Sequence, residues 1–350
     1  MELVRDKIKG LKAYQVENPD ECIKLHANEN PYPPSPELLN KIFQRLDELK
    51  LNRYPDSDCR ELKKAIANRT GASIEQIIIG NGSDELIQYL MQVLCNEGET
   101  IAFPDPTFSM YGITAQCLGL NPASFPLNDN WDFEASSALK MLAESKARIV
   151  FISYPNNPTG NCFSEQEIQK VVEQFEGIVV LDEAYHDFSG KTFLKQMEKH
   201  NNLVILRSLS KIGLAGLRVG YGIFPVILAE QVNKVRLPYN SNSISQWVAN
   251  ELLNDFTPVQ NQINSILEER DRLMDELSKL PAITAYPSNS NFILFKTSKD
   301  GEKVFNNLKA NGTLLRNLDS HPRLKNCLRV TIGTKQENDQ FLSQLRKAAS

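Results

Sequence analysis

Between about residues 76 and 224 the chain alternates two hydrophobic patterns. Short, nearly unbroken apolar runs occur at QIIIG (76–80), ETIAFP (99–104), RIVFIS (148–153), GIVVLDEAY (177–185), LVILRSL (203–209) and LRVGYGIF (217–224). Runs of this kind predict strands of a sheet covered on both faces. Among them lie amphipathic stretches such as SDELIQYLMQVLC (83–95) and SEQEIQKVVEQF (164–175). These predict helices, the second opened by a capping box of Ser164 and Glu167. Helices between strands imply crossovers and a mostly parallel sheet. After Pro225 the pattern turns mainly helical, with a long helix through about 258–280. NFILF (291–295), a helix, GTLLR (312–316), CLRVTIG (327–333) and a last helix then read as a small α/β unit. The proline-rich NENPYPPSP cannot be helix or central strand, so residues 1–35 read as an arm. The expected organisation is therefore an arm (1–35), a large α/β domain (36–238) and a smaller C-terminal α/β domain (239–350).

Composition narrows the class. The chain has 350 residues, 41% hydrophobic and 23% charged, as expected of a globular protein with a sizeable core. A net charge of −4 argues against a nucleic-acid footprint. No apolar run reaches the roughly 20 residues of a membrane span, and the N-terminus carries no signal-peptide core. The cysteines, Cys22, Cys59, Cys95, Cys117, Cys162 and Cys327, form no CxxC pair, which fits a reducing cytoplasm. His26, His186, His200 and His321 show no HExxH spacing, so no metal centre is expected.

In a doubly wound sheet, ligands bind beyond the carboxyl ends of the strands. Gly82 and Ser83 follow the first strand and open a helix, whose free N–H groups suit a phosphate. The same residues also read as a plain capped turn. YPNNPTG presents the amides of Asn156 and Asn157 from a loop fixed by prolines, or is only a rigid turn. Asp182 ends an apolar strand and must find a cation or several donors. Lys211 sits in SLSKIGLAGLR among Leu209, Ile212, Leu214 and Leu217. An unpaired ammonium is costly there, so the lysine either escapes to water or is neutralised. Arg218 reads as part of the next apolar strand, where a buried guanidinium needs an anion. Taken together, these groups suit one ligand. An aldehyde would condense with Lys211, a cationic ring nitrogen would pair with Asp182, and a phosphate would meet Gly82, Ser83, Ser208, Ser210 and Arg218. That ligand is pyridoxal 5′-phosphate.

The blocks NNPTG, DEAY, SLSK and GLRVGY, in this order and spacing, resemble the fold-type I, aspartate-aminotransferase-like enzymes. More narrowly, LKAYQ, LHANENPYPP, NRYPD, GNGSDE, PDPTFSMY, LLRNLD and CLRVTIGT are similar to the histidinol-phosphate aminotransferases. The resemblance spans about residues 14 to 334. It implies a large domain with a mostly parallel sheet flanked by helices, plus a smaller C-terminal domain and an arm. It also implies transamination between L-histidinol phosphate and 2-oxoglutarate, giving imidazole-acetol phosphate and L-glutamate, in histidine biosynthesis. Lys211 would form the internal aldimine and then shuttle a proton. Asp182 would hold the pyridinium proton, Tyr185 and Asn157 would contact the 3-oxygen, and Phe108 would stack on the ring. Gly82, Ser83, Ser208, Ser210 and Arg218 would bind the phosphate. Tyr54 would reach it from the other subunit of a homodimer with shared sites. Arg316 and Arg329 would bind substrate anions, and Tyr14 and Asn28 would help close the site.

One departure stands out. Lys211 and Arg218 are seven residues apart where many relatives have eight, so the path between them must be tighter. Gly213 and Gly216 lie on it. Among other readings, an aromatic-amino-acid aminotransferase or an amino-acid-phosphate decarboxylase of the same fold would share the cofactor residues. SLSK also fits S-x-x-K of serine acyl-enzymes, but that reading leaves Asp182, Asn157 and Arg218 unused. No G-x-G-x-x-G follows a strand, which excludes a nicotinamide dehydrogenase of that type.

Overall fold

The structure is a computed structural model that describes residues 3–11 and 22–349. Its centre is a seven-stranded sheet: β1 (Ile77–Asn81), β2 (Thr100–Asp105), β3 (Asn121–Pro126), β4 (Ala147–Ser153), β5 (Ile178–Asp182), β6 (Leu203–Ser208) and β7 (Val219–Ile223). The spatial order is β1-β7-β6-β5-β4-β2-β3. Only β7 runs against its neighbours, pairing antiparallel with both β1 and β6.

Strand alternation splits the core into two layers. On one face lie Ile79, Val150, Ile152, Val179, Leu181 and Ile205. On the other lie Ile78, Phe151, Val180, Val204 and Leu206, covered by Leu86, Ile87, Leu90 and Met91 of the Ser83–Leu94 helix. The continuous apolar runs follow from this double burial. β3, NPASFP, is largely exposed at the sheet edge, which is why it lacks such a run.

A second, antiparallel sheet comprises β8 (Ile283–Ala285), β9 (Phe292–Thr297), β10 (Arg316–Asn317) and β11 (Cys327–Thr331), in the order β10-β11-β9-β8. Apolar faces of helices Thr257–Ser278 and Lys335–Ala349 join the core here. The expected GTLLR strand divides at Leu315. Thr313–Leu314 pairs with Ile23–Lys24, whereas Arg316–Asn317 pairs with β11. The segment 22–31 is thereby tied to the second sheet, and Thr331 N donates to the Leu25 carbonyl at 2.9 Å.

Two local expectations are corrected. The capping box at Ser164 is not formed, because Glu167 accepts instead from Ala135 N at 2.6 Å and from Lys170 Nζ at 2.6 Å. Arg218 is not a buried strand residue. It caps the short 3₁₀ helix Ala215–Leu217 in the left-handed region, φ 54°, with its side chain 46% exposed. Among the described residues, no helix is long and apolar enough to cross a membrane.

Candidate active site

The carboxyl ends of β4, β5 and β6 deliver Ser153, Asp182 and Ser208 to one cleft of about 610 Å³. The second sheet closes it from the other side with Arg316 and Arg329, and the segment after Leu25 adds His26, Ala27 and Asn28. The strand-end geometry of a parallel sheet explains why residues so far apart in sequence meet here.

Asp182 is 3% exposed. Its Oδ2 accepts from the Tyr111 hydroxyl at 2.8 Å and its Oδ1 from Ala184 N at 3.2 Å. Burial nevertheless pushes this carboxyl up to about 6, with Asp84 adding to the rise and Tyr111 and Lys211 opposing it. Such a group is poised to gain from a cation placed beside it. Tyr111 is fully buried, stacked on Phe151 at 5.0 Å and edge-on to Phe108 at 5.5 Å. Burial and then the charge of Asp182 hold its hydroxyl far above the usual range, so it remains a donor.

Lys211 lies on the 3₁₀ turn Leu209–Ile212 that follows β6. Ser208 Oγ caps this turn by accepting from Ser210 N at 3.2 Å. Lys211 Nζ donates to the Ala27 carbonyl at 3.4 Å and lies 5.8 Å from the Tyr185 ring centroid, inside the cleft. The apolar residues around it are its platform: Leu209, Ile212 and Leu214 are buried below. The lysine thus reaches the cleft instead of being entombed.

The seven-residue path to Arg218 is accommodated by two successive 3₁₀ turns, with Gly213 at φ 116° between them. The non-glycine Arg218 in the left-handed region costs on the order of 1 kcal/mol. Its guanidinium bonds Ser210 Oγ at 3.4 Å and Asp84 Oδ2 at 3.1 Å, over the start of the Ser83–Leu94 helix. The tighter loop therefore delivers Arg218 to the same corner as Ser83, Ser208 and Ser210. Gly82 has φ 81°, and a Cβ there would lie 2.5 Å from Arg218 Nη2. The positive φ suits glycine, and the missing side chain leaves room for the Arg218 guanidinium in this corner.

At the opposite end, Arg316 and Arg329 are directly facing residues of β10 and β11. Like charges directly opposite in a sheet repel. Arg329 is 8% exposed, donates to Asn157 Oδ1 at 2.5 Å and to the His26 carbonyl at 2.7 Å, and sits over the Phe292 ring. Asn28 Nδ2 donates to the Tyr185 hydroxyl at 2.9 Å.

Ser83, Phe108, Asn157, Asp182, Tyr185, Ser208, Ser210, Lys211, Arg218, Asn28, Arg316 and Arg329 all line the one cleft. Tyr54 does not. It is 81% exposed and stacks on Tyr239 at 4.5 Å, outside this chain's cleft. Tyr14 lies outside the described residues. Asn156 is spent structurally, bonded to Pro106 O and to the Thr107 and Thr159 hydroxyls. Sequence reasoning missed Tyr111, His26 and Asp84 as site residues. All three stand in quoted motifs, but nothing in the one-dimensional pattern says which atom they meet.

Residues 20–345 match the family model for aminotransferase class I and II. The chain belongs to that family. Its members are pyridoxal-phosphate-dependent transferases, and this chain is an aminotransferase of the same kind. It is 40% identical to histidinol-phosphate aminotransferase 2 of Nitrosococcus oceani, over 98% of this chain and 96% of that one. It is 36% identical to the histidinol-phosphate aminotransferase of Aquifex aeolicus, over 99% and 98%. Its fold superposes on the Sinorhizobium meliloti histidinol-phosphate aminotransferase in complex with pyridoxal-5′-phosphate with a TM-score of 0.89, at 22% identity over 100% and 98% of the two chains.

The cleft of this aminotransferase fits that cofactor on its own chemistry. A buried carboxylate raised by desolvation calls for a cation, as a pyridinium nitrogen provides. A glycine cradle beside a helix N-terminus, two serines and a guanidinium calls for a phosphate.

Proposed function

We propose that this aminotransferase moves the amino group of L-histidinol phosphate to 2-oxoglutarate, giving imidazole-acetol phosphate and L-glutamate in histidine biosynthesis. The observation that carries the reading is the facing pair Arg316 and Arg329 in the same cleft as Lys211 and Asp182. A transaminase accepts two substrates in turn at one site. One here ends in a phosphate and the other in a carboxylate, and a planar guanidinium fork pairs with either. Relatives named for this activity, similar over nearly their whole length, support it.

When bound, pyridoxal phosphate supplies an aldehyde for amines to condense with and a ring that spreads the electron pair released at the substrate Cα. The residues of this chain do the rest. Lys211 Nζ would be the amine that holds that aldehyde and, when free, the group that moves a proton at the substrate Cα. Asp182, fixed by Tyr111, would keep a proton on the pyridine nitrogen. Tyr185 and Asn157 would hold the 3-oxygen, and Phe108 would cover the ring. Gly82, Ser83, Ser208, Ser210 and Arg218 would hold the cofactor phosphate. Arg316 and Arg329 would hold the substrate anion, with Asn28 at the edge of the same cleft.

The working unit in this proposal is a homodimer with shared sites, in which Tyr54 reaches the other subunit's cofactor phosphate. The exposed Phe43, Leu51, Tyr54 and Leu237 support such an association. The division into arm (1–35), large domain (36–238) and small domain (239–350) is supported by the separation of the two sheets, and unpaired cysteines support a cytoplasmic location. The test is a donor panel with 2-oxoglutarate: L-histidinol phosphate against L-phenylalanine, L-tyrosine and L-aspartate. Preferred turnover of the first is expected. Turnover of the aromatic donors alone would overturn the substrate assignment.

A further inference from the structure

We infer that His321 is a positioning residue for transamination. With Asp105 it latches the hairpin that carries Arg316 and Arg329 onto the strand-end segment that carries Phe108, and so sets the span between the two ends of the substrate. The inference rests on the reading of the two arginines as the substrate-anion site and deepens it.

The latch joins the two sheets. β10 and β11 are the arms of one hairpin, and residues 318–326 turn between them. His321 lines the cleft from this turn. Its Nδ1 accepts from Arg323 N at 3.3 Å, so the ring proton lies on Nε2. Nε2 then donates to Asp105 Oδ1 at 3.0 Å. Asp105 is the last residue of β2, on the main sheet. Arg323 adds a second link, from Nη1 to the Asp105 carbonyl at 3.1 Å, and lies over the Trp131 ring at 5.5 Å.

Both sides of the latch are braced. In the hairpin, Asp319 accepts from Asn326 N at 2.6 Å and from Lys325 Nζ at 2.8 Å across the turn, and Leu324 is buried. On the main sheet, the Pro106 carbonyl and the Thr107 hydroxyl bond Asn156 at 3.1 and 2.7 Å, next to Asn157. A link between two braced parts fixes the distance between the groups they carry. The arginines hold one end of a substrate whose other end meets the cofactor beside Lys211. The side chains of His321 and Asp105 are 29% and 38% exposed, so their bond adds little to the stability of the fold. Its effect falls on ligands that span both sides.

Sulfate is small enough to sit on the arginines alone, whereas an amino-acid substrate reaches from them to the cofactor. In the cofactor-loaded enzyme, His321→Ala should raise KM for L-glutamate and L-histidinol phosphate about fivefold, the loss of one hydrogen bond. The dissociation constant of sulfate, measured by calorimetry, should change less than about twofold, and so should cofactor affinity. His321→Gln, whose Nε2 can reach Asp105, should recover most of the loss. Asp105→Ala should match His321→Ala, and the double variant should be no worse than either, because both remove the same bond. Unchanged KM in His321→Ala overturns the inference. Equal weakening of sulfate and substrates also overturns it, as the mark of a disrupted hairpin, and so do additive losses in the double variant. If Arg316→Ala and Arg329→Ala leave sulfate binding unchanged, the anion-site reading fails and the latch with it. If they weaken it while His321→Ala leaves KM unchanged, only the role of His321 falls.

Discussion

Replacing Asp182 by asparagine should stabilise the cofactor-free protein at neutral pH while disabling the enzyme. The carboxyl is raised from an ordinary 3.8 to about 6, chiefly by burial. Between those values the folded protein holds its proton more tightly than the unfolded chain does. Folded stability therefore falls as pH rises through that window. The full cost of ionising the buried group is about 3 kcal/mol, reached above pH 6. Asparagine keeps the shape, with Oδ1 accepting from Ala184 N and Nδ2 donating to a turned Tyr111 hydroxyl, but does not ionise. Urea unfolding of the two apoproteins at pH 4.5 and pH 7.5 gives the comparison. The advantage of the variant should widen with pH, by an amount on the order of 2 kcal/mol between those points. With cofactor restored the order should reverse, because the carboxylate then has a cation. A stability gap that does not change with pH would refute the claim that Asp182 is ionised at a cost in the empty site.

Other changes test neighbouring parts of the argument. Lys211→Ala should lose the visible absorption band of lysine-bound cofactor and at least about a thousandfold in transamination rate; a wild-type band in the purified variant would contradict its role. Arg329→Ala should raise KM for L-histidinol phosphate and L-glutamate by about tenfold or more, with far less change in cofactor affinity; equal losses would count against a substrate role. Tyr111→Phe removes the donor at 2.8 Å from Asp182, so the pH-dependent loss of apoprotein stability should grow and begin at the same acidic edge. Gly82→Ala places a methyl 2.5 Å from Arg218 Nη2 and should weaken cofactor binding about tenfold or more in a fluorescence titration. Its turnover at saturating cofactor should change much less.

Local pattern carried much of this protein. The apolar runs marked six of the seven strands of the main sheet, because burial on both faces leaves few polar positions within them. The missing strand, Asn121–Pro126, is an edge with one face open to solvent, so its sequence carries no such run. The chemistry-bearing residues were also legible. Asp182 ends a buried apolar run and Lys211 stands in an apolar stretch, which is what drew attention to them, whereas the same reading of Arg218 as a buried charge fails because its side chain is 46% exposed. What the pattern could not supply is pairing between distant segments. That Tyr111 meets Asp182, that Arg316 faces Arg329, and that His26 lies beside them depend on strand register and on the docking of residues 22–31 across the second sheet. The tighter seven-residue path had the same status. Sequence named its length, but only the two 3₁₀ turns and the left-handed Arg218 decided where the guanidinium goes. Periodicity and residue type are local properties and can be read along the chain. Distances between side chains on different elements are fixed by packing, which only the tertiary structure decides.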